Sequence, residues 1–137
     1  MAFTGPAEDR LAIQELVAAY GDAVTRRSAE EWGALWAEDG FWSMPDFEGW
    51  ERMEGRDTIV STWVAAMENY PLNVNIATLG AVTVNGNAAT GRAYTSELVT
   101  DATGATYRVT GRYDDDYVKR GGRWLFQRRV FKVLHSG

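Results

Sequence analysis

The chain contains no cysteine and a single histidine, His135, two residues from the end. Without cysteine there are no disulfides, no thiol nucleophile and no thiolate metal site. One histidine at a terminus, where chains fray, leaves no histidine-based metal site and no imidazole acid–base dyad. Proline is scarce, with three residues in 137, and no apolar run is long enough to cross a bilayer. The N-terminus lacks the charged-then-apolar layout of a secretory leader, so a cytoplasmic location without membrane attachment is the expectation. Net charge is −5, which argues against nucleic acid as a partner, because phosphate binding needs clustered Lys and Arg. The basic stretch Lys119-Arg120-Gly121-Gly122-Arg123 reads as a solvated hairpin turn.

What is present is a globular composition, 45% hydrophobic and 24% charged, in a length suited to one domain spanning 1–137. Pro6 and the acids Glu8 and Asp9 mark a helix start. Ile13, Leu16, Val17, Tyr20 and Val24 then recur at helical spacing, predicting an amphipathic helix from about 7 to 27. Ser28-Ala29-Glu30-Glu31 is a capping box opening a short helix through Trp32, Leu35 and Trp36. Asp39-Gly40 ends it, and Phe41 to Met44 forms a short strand before Pro45. A third helix starts near Gly55-Arg56-Asp57, turns Ile59, Val60, Trp63, Ala66 and Met67 inward, and stops at Pro71.

The second half reads as strand: Leu72 to Val84, Ala88 to Thr100, Tyr107 to Lys119 and Trp124 to Leu134. Asn85-Gly86 is a strong two-residue hairpin signal, and Asp101-Ala102-Thr103-Gly104 and Gly121-Gly122 supply the other turns. Three helices before a four-stranded meander is an α+β layout. Long strands with helices on one side must curl around them. The expectation is a cone-shaped α+β barrel, three N-terminal helices packed in a strongly curved, mainly antiparallel sheet, with an aromatic-lined pocket for a small apolar molecule.

Several segments, in order, carry a resemblance. They are Ala12-Ile13-Gln14-Glu15-Leu16, Trp32 through Trp36, Glu54-Gly55-Arg56-Asp57, and Gly111-Arg112-Tyr113-Asp114-Asp115 with Gly122-Arg123-Trp124 and Arg128-Arg129 beyond it. This ordering resembles the SnoaL-like branch of the nuclear transport factor 2-like superfamily over nearly the whole chain. The superfamily includes scytalone dehydratase, ketosteroid isomerase, dehydrochlorinases, polyketide cyclases, small subunits of aromatic-ring-hydroxylating dioxygenases, and members that bind without catalysing. The resemblance implies the cone fold, self-association as a dimer or trimer through the outer sheet face, and a small hydrophobic ligand without a cofactor. It leaves the reaction open.

In the dehydratase and dehydrochlorinase branch a histidine base is oriented by an aspartate near the end of the first helix. Matched without gaps, those positions hold Thr25 and Asn75, neither of which takes a proton at neutral pH. The arginine that such members keep on the last strand corresponds to Arg129, which here needs an acid or an anionic ligand. Any proton chemistry must then rest on another acid. Ala93, Thr95, Glu97 and Val99 share one strand face, and the resemblance turns that face inward. Glu97 would be a desolvated carboxylate able to act as acid or base and to pair with Arg129. If a bulge reverses the parity, Glu97 faces solvent instead. Tyr107, Val109, Gly111 and Tyr113 share the corresponding inner face, where Tyr113 is either an oxyanion donor or a satisfied core tyrosine.

The run Asp114-Asp115-Asp116 reads as solvated or paired with nearby Arg and Lys, not as a metal site. Residues 41–50 carry four aromatics and a methionine, costly to expose, and fall where the resemblance puts the pocket mouth. The expected lining is Trp42, Met44 and Phe47, with Trp63 and Met67 one helical turn apart, Val24 and Thr25 from the first helix, and Tyr107. Plain core packing competes for each. The leading expectation is a cofactor-independent lyase or isomerase, with Glu97 as acid or base. Arg129 and Tyr113 would stabilise negative charge, and Asn75 and Thr25 would orient the substrate. The rival is a non-catalytic ligand-binding protein or a dioxygenase small subunit.

Overall fold

A computed structural model describes residues 2–137. The elements are β1 (Phe3–Thr4), α1 (Ala7–Arg26), α2 (Ala29–Ala34), β2 (Trp36–Ser43), β3 (Met53–Glu54), α3 (Arg56–Met67), β4 (Leu72–Asn85), β5 (Ala88–Thr100), β6 (Thr106–Arg120) and β7 (Arg123–Ser136). They build one seven-stranded sheet in the order β1-β4-β5-β6-β7-β2-β3. β4 to β7 form the antiparallel meander, turned by two-residue loops at Gly86-Asn87 and Gly121-Gly122 and by the five-residue loop 101–105. β1 and β2 pair in parallel with β4 and β7 respectively. The sheet is strongly curved and mixed, and it does not close: β1 and β3 remain as edges.

Two sequence expectations need correction here. Trp36 belongs to β2 rather than to the second helix, and Asp39-Gly40 sits inside that strand rather than ending a helix. The β2–β7 register shifts between Trp36 and Phe41, so the apparent breaker marks an irregularity in the ladder. Further shifts fall in β4 near Gly80 and along β6–β7 at Thr110/Gly111 and Asp116/Tyr117. Such irregularities bend a strand and increase its twist, which is how the long meander strands curl.

α1 lies in the hollow. Its apolar stripe (Ile13, Leu16, Val17, Tyr20, Val24) is buried against the sheet and against α2. Ser28 caps α2 as its sequence indicates, accepting from the Glu31 N–H. The helix comes unusually close to β4 at Gly21, where a Cβ would stand 2.7 Å from the Asn75 carbonyl oxygen. Thr25, one turn on, completes the contact: its hydroxyl accepts the Asn75 N–H (2.9 Å) and donates to the Gly21 carbonyl (2.8 Å).

This contact sets a stability prediction. Gly21→Ala gains about 1 kcal/mol of helix propensity but forces a methyl onto backbone that cannot turn away, an overpacking cost of about 1–3 kcal/mol or more. The net expectation is a lowered urea midpoint with an unchanged slope.

Candidate functional site

Between the concave sheet, α1, α3 and residues 44–50 lies a cavity of about 550 Å³. Its walls are mainly aromatic. Trp42 meets Trp50 edge-on at 5.6 Å, and the ring of Trp32 behind it stacks on Trp63 at 4.6 Å. The 44–50 segment closes on itself through the Met44 N–H to the Trp50 carbonyl (2.7 Å). It is fastened to the sheet where the β2–β7 pairing stops, because the Asp46 carboxylate accepts the Val133 N–H at 2.8 Å. Phe47 is held over the cavity by this strap.

Of the residues singled out from sequence, Glu97, Tyr113, Asn75, Val24, Trp42, Met44, Phe47, Trp63, Met67 and Tyr107 all line the cavity. Thr25 does not: its hydroxyl is committed to backbone, and it fixes α1 against β4. Arg129 does not reach the wall either. Sequence reasoning passed over Tyr20, Tyr70, Asn73 and Phe131, which also line it, as does Trp50 of the aromatic segment expected at the mouth. Asn73 was available from strand parity, two residues before Asn75; Tyr20 looked like one more apolar position of α1.

The inward set of β5 is the one containing Glu97: Ala93, Thr95 and Val99 are buried, and the β5 pairings run without a shift on the β6 side. Burial pushes the Glu97 carboxyl above its ordinary range, and the Asn73 side chain beside it offsets this only in part. Around it stand Asn75, its direct partner across the β4–β5 ladder, and the phenols Tyr70 and Tyr107.

A second polar centre lies further along the sheet. Tyr113 pairs with Ala93, four residues along β5 from Glu97, which is about 13 Å along the strand direction at Cα. The Trp42 indole N–H donates to the Tyr113 hydroxyl (3.0 Å), and the Tyr20 and Tyr113 hydroxyls are 3.1 Å apart. Burial holds the Tyr113 phenol well above its ordinary range, with Tyr20 adding to the shift and Arg129 opposing it. It is a neutral donor.

Beneath these rings is Arg129, 0% exposed. A pairing of Arg129 with Glu97 is corrected by the geometry. The carboxylate of Asp115 receives Arg129 Nε at 2.7 Å and Nη2 at 3.0 Å, and also accepts the Tyr117 hydroxyl at 2.8 Å. Asp115 points inward with Tyr113 and Tyr117 on β6, so of the two expectations for the acid run, pairing with an arginine holds for its middle member, and the pair is buried. Burial works against the charge on Arg129, but the field and hydrogen bonds of Asp115 keep its pKa above the ordinary range. Among the described residues no group of His, Asp or Glu converges as a metal site, and no helix is long and apolar enough to cross a membrane.

A curved sheet wrapped on helices, with an aromatic cavity between them, defines a pocket protein of the cone-fold type. The chain belongs to the SnoaL-like domain family, whose pattern matches residues 6–130. Among solved structures it is similar to a candidate aromatic ring hydroxylase from Novosphingobium aromaticivorans, with 26% identity over 98% of this chain and 95% of that one and a TM-score of 0.86. It is also similar to a candidate scytalone dehydratase from the same organism (22%, 95% and 87%, TM-score 0.83). A hexachlorocyclohexane dehydrochlorinase from Novosphingobium barchaimii shares the fold as well (19%, 95% and 89%, TM-score 0.80). No curated protein matches the chain.

Proposed function

We propose that this protein is a cofactor-independent enzyme that moves a proton on a flat, hydrophobic, conjugated substrate. One observation carries the reading: a desolvated carboxylate and a neutral phenol donor line the same aromatic cavity at separate ends. Glu97, ionised, takes a proton from a substrate carbon. The C–H electron pair moves through the conjugated framework to an oxygen near Tyr113, whose hydroxyl stabilises the charge. Glu97 then returns the proton, either to another carbon, giving an isomer, or to a departing hydroxyl, releasing water. The separation of the two centres requires a conjugated path between them, which a fused-ring skeleton provides. Asn75 and Asn73 orient the end near Glu97. A carboxyl with a raised pKa suits this role, because a general base works best when its pKa lies near the operating pH.

The test is double-bond migration in, and dehydration of, fused-ring ketones whose acidic C–H is joined to the carbonyl through conjugated double bonds. Both reactions alter the conjugated system and are followed by absorbance. Loss of turnover in Glu97→Gln with ligand affinity retained supports the assignment; unchanged rates remove Glu97 from the mechanism.

A second reading is a ligand-binding protein or the small subunit of a larger oxygenase. It is favoured by the positions Thr25 and Asn75, which hold no acid or imidazole, and by the 26% identity to a candidate aromatic ring hydroxylase. Co-purification of a large oxygenase partner with the tagged protein decides for it. Self-association is carried as a further proposal, on the exposed apolar residues of the outer sheet face, with Ile76 the most exposed at 66% beside Leu72, Tyr94 and Leu134. In that case Ile76→Glu shifts the sedimentation profile toward the monomer without altering the circular dichroism spectrum.

A further inference from the structure

The phenolic centre contains one more proton than its internal bonds use. Trp42, Tyr20 and Tyr113 bring three N–H or O–H protons. The Trp42–Tyr113 bond uses one and the Tyr20–Tyr113 bond uses another, whichever phenol donates in it. The third belongs to a phenol facing the cavity that both tyrosines line, and among the described residues no other acceptor is bonded to either hydroxyl. That O–H is free to bond an acceptor oxygen on a ligand.

Behind the phenols the arrangement is equally specific. The Arg129 guanidinium carbon sits 3.8 Å from the Tyr113 ring centroid, 4.4 Å from that of Tyr20 and 4.0 Å from that of Phe126. Asp115 grips Nε and Nη2 and so holds the guanidinium carbon over all three rings. A cation on a ring face draws on its electron density, and the effect is largest in a dry site. The O–H bonds at the far edge of those rings are polarised accordingly, and each donor in the chain strengthens the next.

We propose that Arg129 and Asp115 are positioning residues: without touching the ligand, the clamped guanidinium strengthens the Tyr20–Tyr113 pair as a donor, and the pair's free proton goes to a ligand oxygen that carries negative charge, a phenolate or an enolate. The idea builds on the proton-transfer reading above, since an enolate is what that reaction places at this end. It is nevertheless a statement about equilibrium binding, so it stands or falls separately from turnover.

The experiment compares 2-naphthol with 2-methylnaphthalene, which has nearly the same shape but no acceptor oxygen. Binding is followed by quenching of tryptophan fluorescence, and the ionised fraction of bound naphthol by its absorbance. Wild-type protein is expected to favour the naphtholate and to lower the pH at which bound naphthol ionises. In Tyr20→Phe/Tyr113→Phe, naphtholate affinity should drop at least tenfold and 2-methylnaphthalene affinity change less than twofold. In Arg129→Met/Asp115→Leu, an apolar replacement of similar bulk, the naphtholate-to-methylnaphthalene ratio should fall about tenfold with the donors still in place. Should that variant not fold, Arg129→Lys serves, because a compact ammonium cannot keep the two-point grip of Asp115 that holds the cation over the rings; the ratio should fall at least threefold. Equal weakening of both ligands would reduce Arg129 to a structural role. An unchanged ratio, or preference of the wild-type protein for neutral naphthol, overturns the proposal.

Discussion

In Glu97→Gln, turnover is expected to fall by about two to four orders of magnitude, while the folded protein becomes more stable at neutral pH. The two effects share one cause. The carboxyl is held in a cavity that disfavours its charge, so its pKa in the folded protein lies above its ordinary value of 4.5. Between 4.5 and the raised folded value, the native state binds more protons than the unfolded chain. Stability must then decline as pH rises across that window. Below it, the protonated acid is tolerated and its contribution is intact; above the folded pKa the loss is complete. Glutamine has nearly the same shape and no charge to desolvate. Urea denaturation should thus show the variant and wild type converging below the window and separating above it, with the variant more stable. Parallel curves at all pH values would mean that Glu97 is well hydrated, which would also undercut its role as a tuned base.

The largest stability effect is expected at Asp115. Asp115→Ala leaves the Arg129 guanidinium fully buried without its carboxylate and strips the Tyr117 hydroxyl of its acceptor. Breaking a buried pair from one side costs about 3–5 kcal/mol, a large share of the roughly 5–15 kcal/mol that holds a typical domain together. Replacing both partners with apolar residues of similar volume is a different experiment: removing the pair itself is between neutral and stabilising, and only the loss of the Tyr117 acceptor, about 1–3 kcal/mol, remains. Because both variants lose that acceptor, the comparison isolates the uncompensated charge: a large drop in the urea midpoint for Asp115→Ala beside a clearly smaller one for Arg129→Met/Asp115→Leu. Equal loss in both would point instead to packing around the site.

The features legible in the sequence are those fixed by short-range rules. The stripe of α1, the cap at Ser28 and the β4–β5 hairpin depend on neighbours a few residues apart; the first two are found where their patterns place them, and the hairpin turns one residue later than Asn85-Gly86, at Gly86-Asn87, with Asn85 paired to Ala88. Parity along β5 was enough to bring Glu97, Thr95 and Val99 to one face. What stayed hidden depends on partners far apart in the chain. Asp39-Gly40 looks like a helix end, but pairing with β7 carries the strand through it. β1 and β3 are two residues each and leave no periodic signal. The ion pair joins residues on two strands across a turn, so an arginine partner for the acid run was legible, but not that Asp115 and Arg129 would form the pair or be buried. Thr25 has the chemistry of a ligand contact, yet its place on the flank of α1 spends that chemistry on β4 backbone.

The fastening of the 44–50 segment has a practical consequence. The Val133 amide gives its proton to the Asp46 side chain rather than to a neighbouring strand. Hydrogen exchange at that one amide therefore reads the detachment of the strap, while its neighbours in the β6–β7 ladder read the opening of the sheet. A molecule occupying the cavity beneath Phe47 should slow exchange at Val133 before it affects them, so the backbone itself provides a clock for how often the pocket is accessible.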